Sequence, residues 1–390
     1  MNEPLPLTPT RLESLLADCV DFAQRLIQTP SMPGEEGEIA RLIAAELERL
    51  AFDRVWLDGA GNICGRIAGL EPGLPALVLN SHIDHVDPGD PALWPVPPYS
   101  GEIVDGHIFG RGASDIKGPL AVQVYALAGL LQAGMRPRRD VVFTGVVKEE
   151  VGGAGMVHWK QTRDYEVGLL LLGEPSSNDL ALGHRGMMQF WVRFHGRSVH
   201  ASVPERGSNP NYALATFLQR LQAAQARLGD HPLLGRTTVA PTVVEVDTRS
   251  HNVTPAWSQV VLDFRTATES PASLAAFVHE VAGELPHSIE IDTGDLRLAD
   301  DETPLQGYYT PPDNPAVSKV RELVAAGMGR EPALTSYRFA TDGRLVADEG
   351  YPIIGYSPGA EDQAHIAGER ISIALMEESL RGHLALLQDY

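Results

Sequence analysis

The chain has 390 residues, 43% of them hydrophobic, with 31 Lys+Arg against 51 Asp+Glu and a formal net charge of -20. That length exceeds one typical hydrophobic core, so two domains are expected, and the apolar share argues against a disordered chain. The acidic balance argues against nonspecific binding to nucleic acid or to an anionic membrane, and no apolar run reaches the ~18–20 residues needed to span a bilayer. The opening MNEPLPLTPTRLESLL lacks a basic stretch followed by an apolar one, so no signal peptide is expected. Cys19 and Cys64 are too few for a disulfide framework or a cysteine-rich zinc site. A reduced, cytoplasmic protein is the expectation, and any metal site must draw on His, Asp and Glu.

In chain order, apolar residues between Leu12 and Ile27 recur at helical spacing, as do those from Ile39 to Leu50. Short apolar runs at 75–80, 140–147, 167–172 and 351–356 then have the length of buried parallel strands. Between the first two lies a helical pattern from Pro119 to about Ala133, closed by Gly134. The texture changes over residues 184–293. Strands are expected at 187–196, 237–246, 258–266 and 287–292. One helix is expected from Asn209 to about Leu228, with Ser208 as cap, and another from Pro271 to about Ala282, with Ser270 as cap and Gly283 past its end. The order β-α-β-β-α-β is that of a ferredoxin-like unit. The sequence therefore predicts an α/β domain with a mostly parallel sheet, formed by residues 1–183 and 294–390, and an inserted α+β domain over 184–293. No internal repeat or low-complexity tract interrupts the pattern.

Polar clusters follow the apolar runs. SHIDHVD places His82 and Asp84 after the run at 75–80, and VVKEEVGG places Glu149 and Glu150 after the run at 140–147. LLGEPSS places Glu174 after 167–172, and SPGAEDQAH places His365 after 351–356. GRGASDIKGP sets Asp115 before a helix. In open α/β sheets ligands gather beyond the carboxyl ends of the strands, so these clusters converge on one crevice. Each cluster alone is commonplace: a lone His is usually a hydrogen-bonded surface residue, and an acidic pair is usually a solvated helix end. Their joint occurrence is not.

Taken together, the HxDxV, GRGxxDxKG, EE, GEP and final AH motifs resemble, in order and over nearly the whole chain, the M20-type dinuclear zinc amidohydrolases and peptidases. That family includes acetylornithine deacetylase and succinyl-diaminopimelate desuccinylase. The resemblance implies that His82 and Glu174 bind one metal, that Glu150 and His365 bind the other, and that Asp115 bridges them. It gives Asp84 the task of fixing the His82 imidazole and Glu149 that of general acid/base, and it implies a cis peptide between Asp115 and Ile116. Imidazole and carboxylate are proper ligands for zinc, and Co²⁺ or Mn²⁺ can share such a set. Three carboxylates leave two divalent ions with a net positive charge, which acidifies a shared water and favours hydroxide near neutral pH. His85 stands where the family commonly has Thr, next to two functional residues, and is a candidate for substrate contact.

For the inserted domain the resemblance implies a lid and a homodimer interface. GRSVHAS would present His200 to the partner subunit's active site, while Asn252 and Arg265 would meet the substrate carboxylate, with Arg344 as a further contact. The activity implied is hydrolysis of the amide bond of a small N-acyl-amino acid. The alternatives are a metallo-dipeptidase or carboxypeptidase acting on small peptides and, from another class, a binding member of the family that has lost its chemistry.

Overall fold

The computed structural model describes residues 8–285, 288–292 and 305–390. Contacts divide the chain into two compact units. The first contains the residues up to Gly183, Tyr309–Tyr337 and Thr341–Tyr390; the second contains His184–Tyr308 and Arg338–Ala340. The expected return of the chain at 294 falls outside the described residues.

The first unit is built on a mixed sheet. Its strands run in the order Arg54–Leu57, Ile63–Ile67, Val141–Val146, Ala76–His82, Val167–Leu172, Ile353–Gly355 and Leu180–His184. The four strands from Val141–Val146 to Ile353–Gly355 are mutually parallel, and the flanking pairs are antiparallel. Ala76–His82 is buried along its whole length, as a central parallel strand covered on both faces must be. The helix Gly118–Gln132 is apolar all round and buried throughout except at its last residues. Because the central strands are parallel, their carboxyl ends share one rim. Gly173 lets the chain after Val167–Leu172 press against its neighbour, for a side chain there would collide with the Ser81 hydroxyl.

The second unit carries a four-stranded antiparallel sheet in the order Thr238–Val246, Trp257–Thr266, Gly186–His195, Ser288–Asp292. With helices Pro210–Ala224 and Pro271–Ala282 this is the ferredoxin-like topology. Gly186–His195 alternates buried and half-buried residues, which sets Met188, Phe190, Val192 and Phe194 in the core. The Phe194 ring packs at a tilt against Phe217 of one helix, with centroids 5.4 Å apart, and Val278 of the other helix is fully buried in the same core. Burying each such side chain stabilises the unit by about 1.5–3 kcal/mol.

The helix from Pro271 starts and ends where its capping residues predict, and Ser270 and Ser273 complete a reciprocal capping box. At the other helix the cap is Asn209, not the expected Ser208: its side chain accepts from the Asn211 N–H, and Pro210 takes the first helical position. Among the described residues no helix is long and apolar enough to cross a membrane.

Candidate metal centre

The candidate side chains sit at the rim where the parallel strands end. His82 closes the strand Ala76–His82, and Glu149 and Glu150 lie in a turn shortly after Val141–Val146. Glu174 follows Val167–Leu172, and His365 lies ten residues beyond Ile353–Gly355, with a left-handed φ of 62°. Asp115 lies before Gly118–Gln132, and its bond to Ile116 is cis.

Two groups of side chains could each hold a metal ion. His82, Asp115 and Glu174 form one, and Asp115, Glu150 and His365 form the other; within each group one ligand atom per residue lies within 4.8 Å of the others. Asp115 belongs to both. Its Oδ1 is 3.0 Å from His82 Nε2, and its Oδ2 is 3.3 Å from His365 Nε2. His365 Nε2 also lies 3.2 Å from Glu150 Oε1. A carboxylate that offers one oxygen to each of two imidazole-containing groups suits a pair of cations. The donors are all nitrogen and oxygen, the set that divalent metals of the zinc type accept.

The electrostatics of the cluster suit a cation. Burial pushes Glu174 and Glu149 well above the usual carboxylate range, Glu174 also by the neighbouring Asp115, and Glu149 also by Glu174 and Asp342. For His82 burial opposes protonation, but Asp115 and Asp84 outweigh it and hold the imidazole well above its ordinary value. Asp115 and Glu150 lift His365 to about 10. Acidic groups thus crowd together faster than the two imidazoles can neutralise them.

Asp84 has a broader task than the motif implies. Its Oδ1 approaches His82 Nδ1 at 3.5 Å, but that nitrogen lies closer, 3.0 Å, to the Asp84 main-chain oxygen. The Asp84 carboxylate accepts hydrogen bonds from the main-chain N–H groups of Glu149 (3.2 Å) and Glu150 (3.1 Å). One buried carboxylate therefore ties the histidine turn to the acidic pair.

Other expected residues take different places. His85 is fully buried and both ring nitrogens meet the main chain: Nε2 accepts from the Ser31 N–H at 2.9 Å, and Nδ1 donates to the Val86 carbonyl at 2.8 Å. Burial lowers its pKa to about 4, so the ring is neutral and structural, not a substrate contact. His85→Ala should therefore leave metal stoichiometry unchanged while lowering the melting temperature. Metal analysis beside a thermal melt checks this, and loss of an ion would put the ring in the site.

Arg344 is half-buried and donates to the Gly152 carbonyl at 3.0 Å, bracing the turn behind the acidic pair. In the second unit, Arg265 pairs with Asp263 of its own strand at 2.8 Å. It also lines a cleft of about 410 Å³ with Arg185, Arg338 and Phe339. His200 is exposed, with Nδ1 2.7 Å from the Ser202 hydroxyl, and exposed Asn252 accepts the Ala201 N–H through its main chain.

Two buried acids escape motif reading. Asp342, 1% exposed, adds its charge to Glu149 and Glu174 from the loop after Leu334–Tyr337. Glu369 is buried beneath the Asp115 loop.

Comparison with known proteins accords with this geometry. Residues 78–389 match the model of peptidase family M20/M25/M40. The chain belongs to that family. It is 30% identical to the succinyl-diaminopimelate desuccinylase of Methylorubrum extorquens, over 90% of this chain and 94% of that protein. Its fold matches the aminopeptidase PepT of Bacillus cereus with a TM-score of 0.72 at 19% identity, covering 95% of this chain and 98% of the other. It also matches YXEP of Bacillus subtilis, a dinuclear metal binding peptidase of the M20 family, with a TM-score of 0.68 at 15% identity, covering 96% and 99%. As an M20 member the chain is a metal-binding hydrolase of amide or peptide bonds.

Proposed function

We propose that this M20 hydrolase cleaves the amide bond of a small N-acyl-amino acid with two Zn²⁺ ions held by His82, Glu174, Glu150 and His365 and bridged by Asp115. The observation that carries this reading is the pair of ligand groups sharing one carboxylate, with Glu149 beside them and in neither. Two divalent ions in that position supply Lewis acidity and lower the pKa of a bound water. Glu149 takes the proton of the attacking water and returns it to the departing amine nitrogen. Asp84 anchors the main chain of Glu149 through its N–H.

The first unit is the catalytic domain in this reading and the second is the lid and dimerisation domain. Arg265 and Asn252 receive the carboxylate of the amino-acid portion, and the arginines beside Arg265 favour an anionic substrate. Arg344 acts as a weaker contact. The edge strand Thr238–Val246 supports a homodimer. It pairs on one side only among the described residues and exposes Val243, Val244 and Val246. His200 of the partner subunit then donates an N–H to the carbonyl oxygen under attack.

A release assay tests the activity. Metal-free protein is supplied with Zn²⁺, Co²⁺ or Mn²⁺ and offered N-acetyl, N-succinyl and N-formyl amino acids beside dipeptides. Metal-dependent release of an amino acid from an N-acyl substrate, and little from dipeptides, is expected. Turnover confined to dipeptides would make the chain a metallo-dipeptidase.

A further inference from the structure

The segment that follows His365 does more than deliver that histidine. It runs into the short strand Arg370–Ser372, which pairs with His107–Phe109 just ahead of the Asp115 loop. Between them stands Glu369, with no exposed surface. Its Oε2 accepts from Arg111 Nη1 at 2.7 Å and from the Gly112 N–H at 3.0 Å. Its Oε1 accepts from the N–H groups of Ser114 (2.9 Å) and Asp115 (3.0 Å). The Ser114 hydroxyl binds back to the same segment, donating to the Ala360 carbonyl and accepting the Ala360 N–H. Residues 360–369 thus clasp residues 111–115 at both ends.

Four donors on one buried carboxylate make a strong and directional set, because charge-assisted hydrogen bonds are shorter and stronger than neutral ones. Three of the four are main-chain groups, so what the carboxylate fixes is the path of the loop. The last of the three belongs to the residue whose side chain meets both His82 and His365. Among the described residues, Glu369 is the one side-chain acceptor for the N–H groups of Gly112, Ser114 and Asp115. Without Glu369 they would be left buried with an unmet hydrogen bond, and the loop would have to shift to find partners.

We propose that Glu369 is a positioning residue of the metal centre, holding the main chain of residues 112–115 so that the Asp115 carboxylate presents one oxygen to each metal group. This rests on the proposed assignment of Asp115 as the bridge. Glu369 itself touches neither substrate nor ion. It also links the two groups mechanically, since the same segment carries His365.

Glu369→Gln keeps the shape but turns an NH₂ group towards two donors, so at least two of the four bonds are lost. Co²⁺ binding to metal-free protein is followed by calorimetry and by visible absorption. The expected result is two sites weakened by about 10–100-fold, the usual effect of losing an outer partner of a ligand, with an altered cobalt spectrum. Glu46→Gln serves as the control. Glu46 is also buried and accepts from Arg25, Arg49 and Tyr125, away from the centre. It should lower the melting temperature and leave Co²⁺ binding intact.

Because Glu369→Gln leaves Arg111 buried without its anion, Arg111→Met/Glu369→Gln is made beside it to remove both charges and preserve folding. It should show the same weakening. Native Co²⁺ affinity and spectrum in either folded variant would overturn the proposal, and so would equal weakening in Glu46→Gln. If instead Asp115→Asn itself leaves both sites intact, the bridge assignment fails and not the clasp.

Discussion

Glu149→Gln should keep both metal ions and lose turnover by about 10²–10⁴-fold, the range typical of a general acid/base. The amide has the size of the carboxylate but neither takes a proton from water nor hands one to an amine. Glu149 lies outside both ligand groups, so its loss does not empty them. Its neighbour behaves differently: Glu150 lies 3.2 Å from His365 Nε2, and Glu150→Gln should weaken metal binding first. Metal analysis and kcat on the two variants separate the roles. Normal turnover in Glu149→Gln would remove it from the mechanism. The same variant tests His200 when its subunits are exchanged with those of His200→Ala. If His200 works across the dimer, a mixed dimer regains one intact site and about half of native activity per dimer. No recovery despite proven exchange would confine His200 to its own chain.

Asp115→Asn should cost both ions at once. The proposed bridge gives one oxygen to each group, and an amide can present only one oxygen and no charge. The loss in affinity should exceed the 10–100-fold typical of an outer partner, because here a ligand itself is changed. Glu174→Gln and Glu150→Gln each belong to one group, so each should weaken one ion and leave the other nearer its native affinity. Calorimetric titration of metal-free protein reads this directly. Loss of a single ion in Asp115→Asn would mean that the carboxylate serves one group only.

How far the sequence speaks for itself varies along the chain. Val167–Leu172 stands out as an unbroken apolar run, because a strand buried on both faces has no polar face to display. Gly186–His195 stands out by alternation, and Pro271–Ala282 by the residues that start and stop it. The strands Arg54–Leu57 and Ile63–Ile67 are short and lie at or next to the sheet's edge, so their sequences carry no comparable run. Pro315–Met328 was signalled by Asn314, Pro315 and Gly329, but these caps escape a reading led by apolar runs. At the site, the five ligand candidates follow apolar runs or precede a helix, which is where the fold's rim must be. Asp342 and Glu369 follow no apolar run, and the elements they precede, Gly343–Val346 and Arg370–Ser372, are too short to mark a position in the sequence. Their importance comes from partners far away in sequence, such as the Gly112 N–H 257 residues from Glu369. His85 errs the other way: its neighbours His82 and Asp84 suggest chemistry, yet Ser31 and Val86 take both of its nitrogens.

Asp115, as the proposed bridge, joins two metal ions in one centre. Anomalous diffraction at the zinc edge, from crystals of protein reconstituted with Zn²⁺, addresses it directly. Two peaks about 3.5–4 Å apart are expected, one beside His82 and Glu174 and the other beside Glu150 and His365, with Asp115 between them. A single peak, or two peaks of which only one touches Asp115, would contradict the bridge.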